Sequence, residues 1–278
     1  MRRVIVACLF LTLLAGCFPW SAPERLPEYT SVSEAQGAGS DTIFLNLSSQ
    51  SLTALPDGLA SLPNMRKLSL RGNNLTTLPA AIGALKPLQW LDIGQNRISV
   101  LPAELGQLDG LEVLYLSDNE LVQLPPALIG LSRLRYLNLD RNAFAAIPAE
   151  VGKLSEIRWL RLNGNELTKV PDGIGLLSQL ERLYLRDNIL NDLPGSLSGL
   201  KSLTDLSLSN NKFSTIPAVI LQMKGLQRLD LDGNQLTLLP ENIENFKSLK
   251  WLKLERNKLA EEEKERVRDA LPTCHISF

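Results

Sequence analysis

The sequence predicts an α/β solenoid: short parallel strands stacked along a concave side, with short helical or irregular segments along a convex side. Three observations carry this. Asn73, Asn96, Asn119, Asn142, Asn165, Asn188, Asn211, Asn234 and Asn257 recur every 23 residues, and Gln50 takes the same place one period earlier. Apolar residues keep fixed offsets from each Asn: Leu68 and Leu70 precede Asn73 by five and three positions, Leu75 follows by two, and Leu78-Pro79 comes next. No insertion or deletion interrupts the ten copies. A fixed period of this kind marks repeats too small to bury a hydrophobic face alone, which stack to share one core. Length alone would suggest about two domains; the unbroken period replaces that with one elongated unit.

The chain begins with an address. Met1-Arg2-Arg3 is followed by an apolar run from Val4 to Leu14, broken only by Thr12. That run is too short to cross a ~30 Å hydrocarbon layer, which takes ~20 residues. A basic start, a short apolar stretch and small residues together read as a secretory signal over residues 1–16. Leu14-Ala15-Gly16-Cys17 resembles the bacterial lipobox. The resemblance implies cleavage before Cys17 and a diacylglyceryl group on its sulfur. Each buried acyl methylene contributes ~0.8 kcal/mol, and two chains give stable anchoring. The expected location is therefore the bacterial cell envelope, lipid-anchored, without a transmembrane helix. Phe18 stands where Asp commonly retains such proteins in the inner membrane, so the outer membrane is favoured.

Residues 17–40 are read as a tether and N-terminal cap. Pro19, Pro23 and Pro27 stiffen its first part, while Gly37, Gly39 and Ser40 loosen its end. Trp20 suits either the lipid interface or a loosely packed linker, and Tyr29 to Ala35 is expected to cap the first repeat.

Residues 41–259 hold the repeats. In each Leu-x-Leu the leucines alternate with outward residues, so both point to one side of a short strand. The Asn marks an inward turn, where a buried amide can satisfy backbone groups that have no sheet partner. A Pro from Pro56 through Pro240, in nine copies, fixes φ on the return segment. Ile82-Gly83, Ile174-Gly175 and their equivalents open the convex segment. Phe144, Phe213 and Phe246 stand at leucine positions and are assigned to the core.

This frame, LxxLxLxxNxL followed by LPxxIGxLxxL, resembles the 23-residue form of the leucine-rich repeat, over residues 42–278. With the lipobox, the chain as a whole resembles a bacterial leucine-rich repeat lipoprotein. The resemblance implies a curved horseshoe. Residues 260–278 are similar to the cap that closes many bacterial members: a helix from Glu261 to Leu271, then an edge strand at Cys274 to Phe278. Glu261, Glu262 and Glu263 favour the helix N-terminus, and Glu262 is placed to pair with Arg266.

Chemistry has few places to stand. With 29 Lys+Arg against 30 Asp+Glu, the chain lacks the basic excess of a nucleic-acid binder. One His and three Cys leave almost nothing for a zinc site or a His-based triad. No phosphate-binding Gly loop or nucleophile elbow is found. No catalytic residue, metal or cofactor is expected. His275 and Cys274 read as cap residues.

The informative residues lie between the leucines and face the concave side. Every Trp and Tyr within the repeats falls there: Trp90, Tyr115, Tyr136, Trp159, Tyr184 and Trp251. Trp90, Tyr115, Tyr136, Trp159 and Tyr184 form a contiguous aromatic strip, flanked by Arg161, Arg182 and Arg186 and followed by Asp205, Asp230 and Asp232. Aromatic residues and Arg dominate protein-interface hot spots. These eight aromatic and Arg residues are the candidate ligand-binding set. The same rings also suit a purely stabilising ladder. The expected function is a non-catalytic, membrane-anchored protein-binding module. A glycan or cell-wall ligand, or an envelope spacer without a ligand, are the alternatives. A protein partner would carry acidic groups near copies six and seven and basic groups near eight and nine.

Overall fold

The computed structural model describes residues 27–38, 44–62 and 64–278. The expected signal peptide, the Cys17 lipid site and Trp20 lie outside the described residues.

Twelve strands form one sheet in chain order, and every neighbouring pair is parallel. They are β1 (Glu28–Tyr29), β2 (Phe44–Asn46), β3 (Lys67–Ser69), β4 (Trp90–Asp92), β5 (Val113–Tyr115), β6 (Tyr136–Asn138), β7 (Trp159–Arg161), β8 (Arg182–Tyr184), β9 (Asp205–Ser207), β10 (Arg228–Asp230), β11 (Trp251–Lys253) and β12 (His275–Ser277). The chain is a repeat solenoid, as the sequence predicts, with its parallel sheet on the concave side. The unbroken period keeps the register: Leu68 pairs with Leu91, Leu137 with Leu160 and Leu229 with Leu252. Because register never slips, each side-chain position becomes a row across the sheet.

The leucine rows are fully buried, and Phe144, Phe213 and Phe246 lie among them. Return segments after each Pro make single turns of 3₁₀ helix, such as Ala80–Ala84, Ala103–Gln107 and Asp172–Leu176. They pack so closely that a Cβ at Gly106 would overlap the carbonyl oxygen of Ala127 in the next copy.

The Asn residues form the continuous ladder that joins copies. The Asn165 amide Nδ2 donates to the carbonyls of Leu139 (3.1 Å) and Leu162 (3.0 Å). Its Oδ1 accepts the Phe144 N–H at 3.2 Å. Asn188 repeats the pattern on Leu162, Leu185 and Leu167. The residue just before the Asn has left-handed φ: Gln95, Asp118, Arg141, Asp187, Asn210 and Arg256 lie between 52° and 58°. Non-glycine residues pay ~1–2 kcal/mol there. The cost is offset by ladder bonds on either side, as where the Arg141 N–H donates to the Asn163 carbonyl at 2.7 Å.

Both ends of the core are covered. At the start, β1 pairs with β2, and α1 (Val32–Gly37) seats Ala35 against the first copy. Ser31 caps α1 by accepting the Glu34 N–H. At the other end, α2 (Glu261–Ala270) buries Val267. Its ion pair differs from the expectation. Arg266 bonds Glu263 at 2.8 Å, not Glu262. Glu263 is the inward residue, and its Oε1 also accepts the Leu239 N–H at 2.6 Å. A buried N–H in the last copy needed an acceptor, and that need, not i,i+4 spacing, selects the partner. Cys274 is half-buried, and burial pushes its thiol up to about 11. His275 is exposed on β12.

Candidate binding face

Each strand places its first and third residues on the concave side and its central leucine in the core, by the two-residue alternation of a strand. Constant register then brings residues of successive copies side by side, strands being ~4.8 Å apart. The candidate residues accordingly meet in sequence. Ring centroids are 5.6 Å apart for Trp90 and Tyr115, 4.8 Å for Tyr115 and Tyr136, and 5.9 Å for Tyr136 and Trp159. The interplanar angles are tilted, which suits the ring quadrupoles. The Arg182 guanidinium continues the stack, 4.2 Å from the Trp159 ring centroid, and Arg161 lies 5.4 Å from that of Tyr184. Cations over aromatic faces are attracted by the same quadrupole.

The stack changes what the face offers. Tyr136 is 6% exposed and Trp159 8%, although neither belongs to the leucine core. Their neighbours cover them laterally. Burial raises the phenol pKa of both Tyr115 and Tyr136, so both are neutral hydroxyls at physiological pH. The centre of the strip is thus a packed ladder with little ring surface open to solvent. Trp90, Tyr115 and Tyr184 remain half-exposed.

The charges are largely matched within the face. Arg161 Nη2 lies 2.6 Å from Asp140 Oδ2, and the buried Asp140 also accepts the Asn163 N–H. Arg228 holds Asp205 at 2.9 Å, and Arg186 holds Asp187 at 3.0 Å. Arg71 approaches Asp92 at 3.7 Å. Arg186 keeps the most solvent contact of the three candidate arginines. On the acidic side, Asp232 accepts the Glu255 N–H, and burial raises its carboxyl pKa, with neighbouring Asp230 adding to the effect.

Two residues outside the candidate set stand out. Trp251 is 39% exposed, the most open aromatic ring on the face, with the Arg228 guanidinium 4.4 Å from its centroid. Its neighbours in the row are Arg228 and His275, not other rings, and that difference is readable from the sequence. Lys67 sits between Phe44 and Trp90 in the same row. Among the described residues no group of three or more His, Cys, Asp or Glu could hold a metal, and no helix is long and apolar enough to cross a membrane.

Geometry therefore defines a class: a repeat solenoid that presents one side of its sheet as an open surface. The leucine-rich repeat family profile matches residues 44–98, 86–144 and 203–259, and a leucine-rich repeat region profile matches 123–211. The chain belongs to the leucine-rich repeat family. Similar solved structures include a leucine-rich repeat protein of Leptospira interrogans, at 27% identity and TM-score 0.51, covering 91% of this chain and 100% of that one. The plant peptide hormone receptor RGFR1 in complex with RGF2 is similar at 27% identity and TM-score 0.65, covering 84% of this chain and 38% of that one. The Toll–Spätzle complex of Drosophila is similar at 25% identity and TM-score 0.73, covering 84% and 34% respectively. The chain thus spans the whole of the solved Leptospira chain but only a little over a third of the matched chains of the two complexes. No protein with a curated description matches the sequence.

Proposed function

We propose that the chain is a non-catalytic protein-binding module held on the bacterial envelope by a lipid on Cys17, and that it grips its partner with the concave face. The observation that carries the reading is the band of rings and guanidinium groups from Trp90 to Tyr184, held in register on two adjacent rows of an open sheet, with Arg186 just beyond the end of β8. Such a surface is preorganised, so little conformational freedom is lost on binding. Aromatic and Arg side chains are the types that contribute most per residue at interfaces. Two of the similar structures are complexes, one of a plant peptide hormone receptor with RGF2 and one of Toll with Spätzle.

The test uses the accessible part of the row. Tyr184→Ala with Arg186→Ala leaves the buried Tyr136–Trp159 stack in place. Partners captured from envelope and host extracts by wild type and variant are compared by mass spectrometry, with circular dichroism as the fold control. A partner lost by the folded variant supports the reading; an unchanged partner set retires it. Labelled palmitate uptake by wild type and Cys17→Ser tests the anchor, and continued labelling of the variant removes it. The open ring of Trp251 favours one second reading, stacking on a sugar. A glycan array separates the two.

A further inference from the structure

Lys67 is the anomaly of the concave face. Phe44 and Trp90 lie two strands apart, a span of ~9.6 Å at ordinary strand spacing. Their ring centroids are nevertheless only 6.2 Å apart, at an interplanar angle of 84°. The rings therefore lean toward each other across β3, and Lys67 is the residue of that row between them. Its side chain is half-buried, and burial holds its ammonium pKa below the usual lysine range. No carboxylate pairs with it among the described residues.

The other cations of the face are treated differently. Arg71, Arg161, Arg186 and Arg228 each hold an Asp, and Arg182 stacks on Trp159. Lys253, which holds none among the described residues, is exposed. Lys67 alone on this face is both partly stripped of water and without an anion among the described residues. A charge in that state costs free energy. It also binds an arriving carboxylate more strongly than a solvated lysine does, because less water must be removed and the rings lower the local dielectric.

We propose that Lys67, framed by Phe44 and Trp90, is an anchor point for a carboxylate side chain of an acidic protein segment. The proposal rests on the reading that the concave face binds protein, and it adds where and by which charge. It places an acidic contact at copies two and three, with Lys67 on β3 five strands before Arg182 on β8. An Asp or Glu fits because the ammonium supplies three donors, while the two rings cover the aliphatic part of the incoming residue. A protein source is favoured over an acidic sugar because Trp90 already packs against two neighbouring rings, Tyr115 and Phe44.

The test uses the full chain with isotopically methylated lysines and three probes at low salt: hexaglutamate, hexaglutamine and a glucuronate oligosaccharide. The Lys67 resonance is assigned by its loss in Lys67→Arg. Hexaglutamate is expected to shift the Lys67 signal before those of the other lysines, and hexaglutamine to leave it unmoved. Lys67→Met, which keeps the apolar stem, should bind hexaglutamate about tenfold more weakly, as loss of one charge-assisted bond implies. Lys67→Arg should retain binding. Equal binding by Lys67→Met, an indifferent shift of all lysines, or no binding would overturn the anchor. Binding of glucuronate in preference to hexaglutamate would overturn the protein source. If Lys67→Met keeps every captured partner while Tyr184→Ala with Arg186→Ala loses one, the anchor fails and the concave-face reading stands. If both keep all partners, the concave-face reading fails with it.

Discussion

Asn165→Ala tests the physical basis of the solenoid. The side chain makes three good bonds, to Leu139 and Leu162 as donor and from Phe144 as acceptor. Their losses are unequal. The Leu139 carbonyl keeps a bond from Asn142 at 3.1 Å, and the Leu162 carbonyl keeps one from Asn188 at 2.9 Å. The Phe144 N–H has no second acceptor and is buried. An orphaned buried donor costs ~1–3 kcal/mol, and each weakened carbonyl adds somewhat under ~1 kcal/mol. The expected loss is about 3 kcal/mol, or local opening at Phe144 faster by about two orders of magnitude. Hydrogen exchange at the Phe144 amide measures this directly and avoids assuming one cooperative transition in a repeat array. Asn165→Asp gives a sharper form. Its carboxylate would still accept from Phe144 but would face two carbonyl oxygens. Its folded pKa would lie above the unfolded value, so stability is full below the unfolded pKa and is lost as pH rises through the folded pKa. The Asp variant should therefore be rescued by acid and the Ala variant should not. An exchange change under threefold in Asn165→Ala, or no pH dependence in Asn165→Asp, would refute the ladder argument.

Three further outcomes follow from the same geometry. Gly106→Ala should destabilise by ~2 kcal/mol or more, because the methyl meets backbone that cannot rotate away; a denaturant midpoint within error of wild type would contradict the close convex packing. Glu263→Gln should weaken the C-terminal cap near neutral pH. Arg266 beside it holds the Glu263 carboxyl below the usual range, so its contribution is present above the unfolded pKa and lost as pH falls through the folded one. The difference between the two denaturation curves should then close in acid, and a gap that persists would argue against the ion pair. Arg161→Ala leaves the buried Asp140 carboxylate without its cation and should cost ~1–3 kcal/mol, less than a fully buried pair because Arg161 is partly solvated. Double-mutant comparison with Asp140→Ala checks it, and additive losses would mean the pair contributes nothing.

The period, the strand direction and the core positions of Phe144, Phe213 and Phe246 were legible because each depends on residue type at a fixed offset. The Asn ladder was legible for the same reason: an amide at that offset has one set of backbone groups within reach. What escaped sequence reading depends on neighbours across copies. Gln95, Asp118 and Arg141 occupy left-handed turns whose signal in the sequence lies in other copies, where Gly72, Gly164 and Gly233 hold the same place; inter-copy bonds impose the conformation where the Gly is replaced. Arg161 reads as a free flank of the aromatic strip, yet Asp140, twenty-one residues earlier, already holds it. The choice of Glu263 over Glu262 turned on one N–H in another copy, at Leu239.

The face solves its own packing before it serves a ligand. A parallel sheet with only one side against the core must cover or solvate the other side. Here the central rings cover one another, and most arginines neutralise acids one copy away. Side chains spent in this way hold the surface in register, but they have little unsatisfied chemistry to offer. Recognition should then reside where self-satisfaction breaks down: at Lys67, which pairs with no carboxylate among the described residues; at Trp251, whose ring is open; and at Asp230, Asp232 and Glu255, where burial and mutual repulsion raise the Asp232 pKa. These points lie toward the two ends of the row, with the Tyr136–Trp159 stack between them. A partner that reads the ends must span most of the concave face, whereas one gripping the central rings could be short. Cross-linking from Lys67 and Lys253 separates the cases: adducts at both ends to one partner chain fit the long footprint, and adducts confined to one end do not.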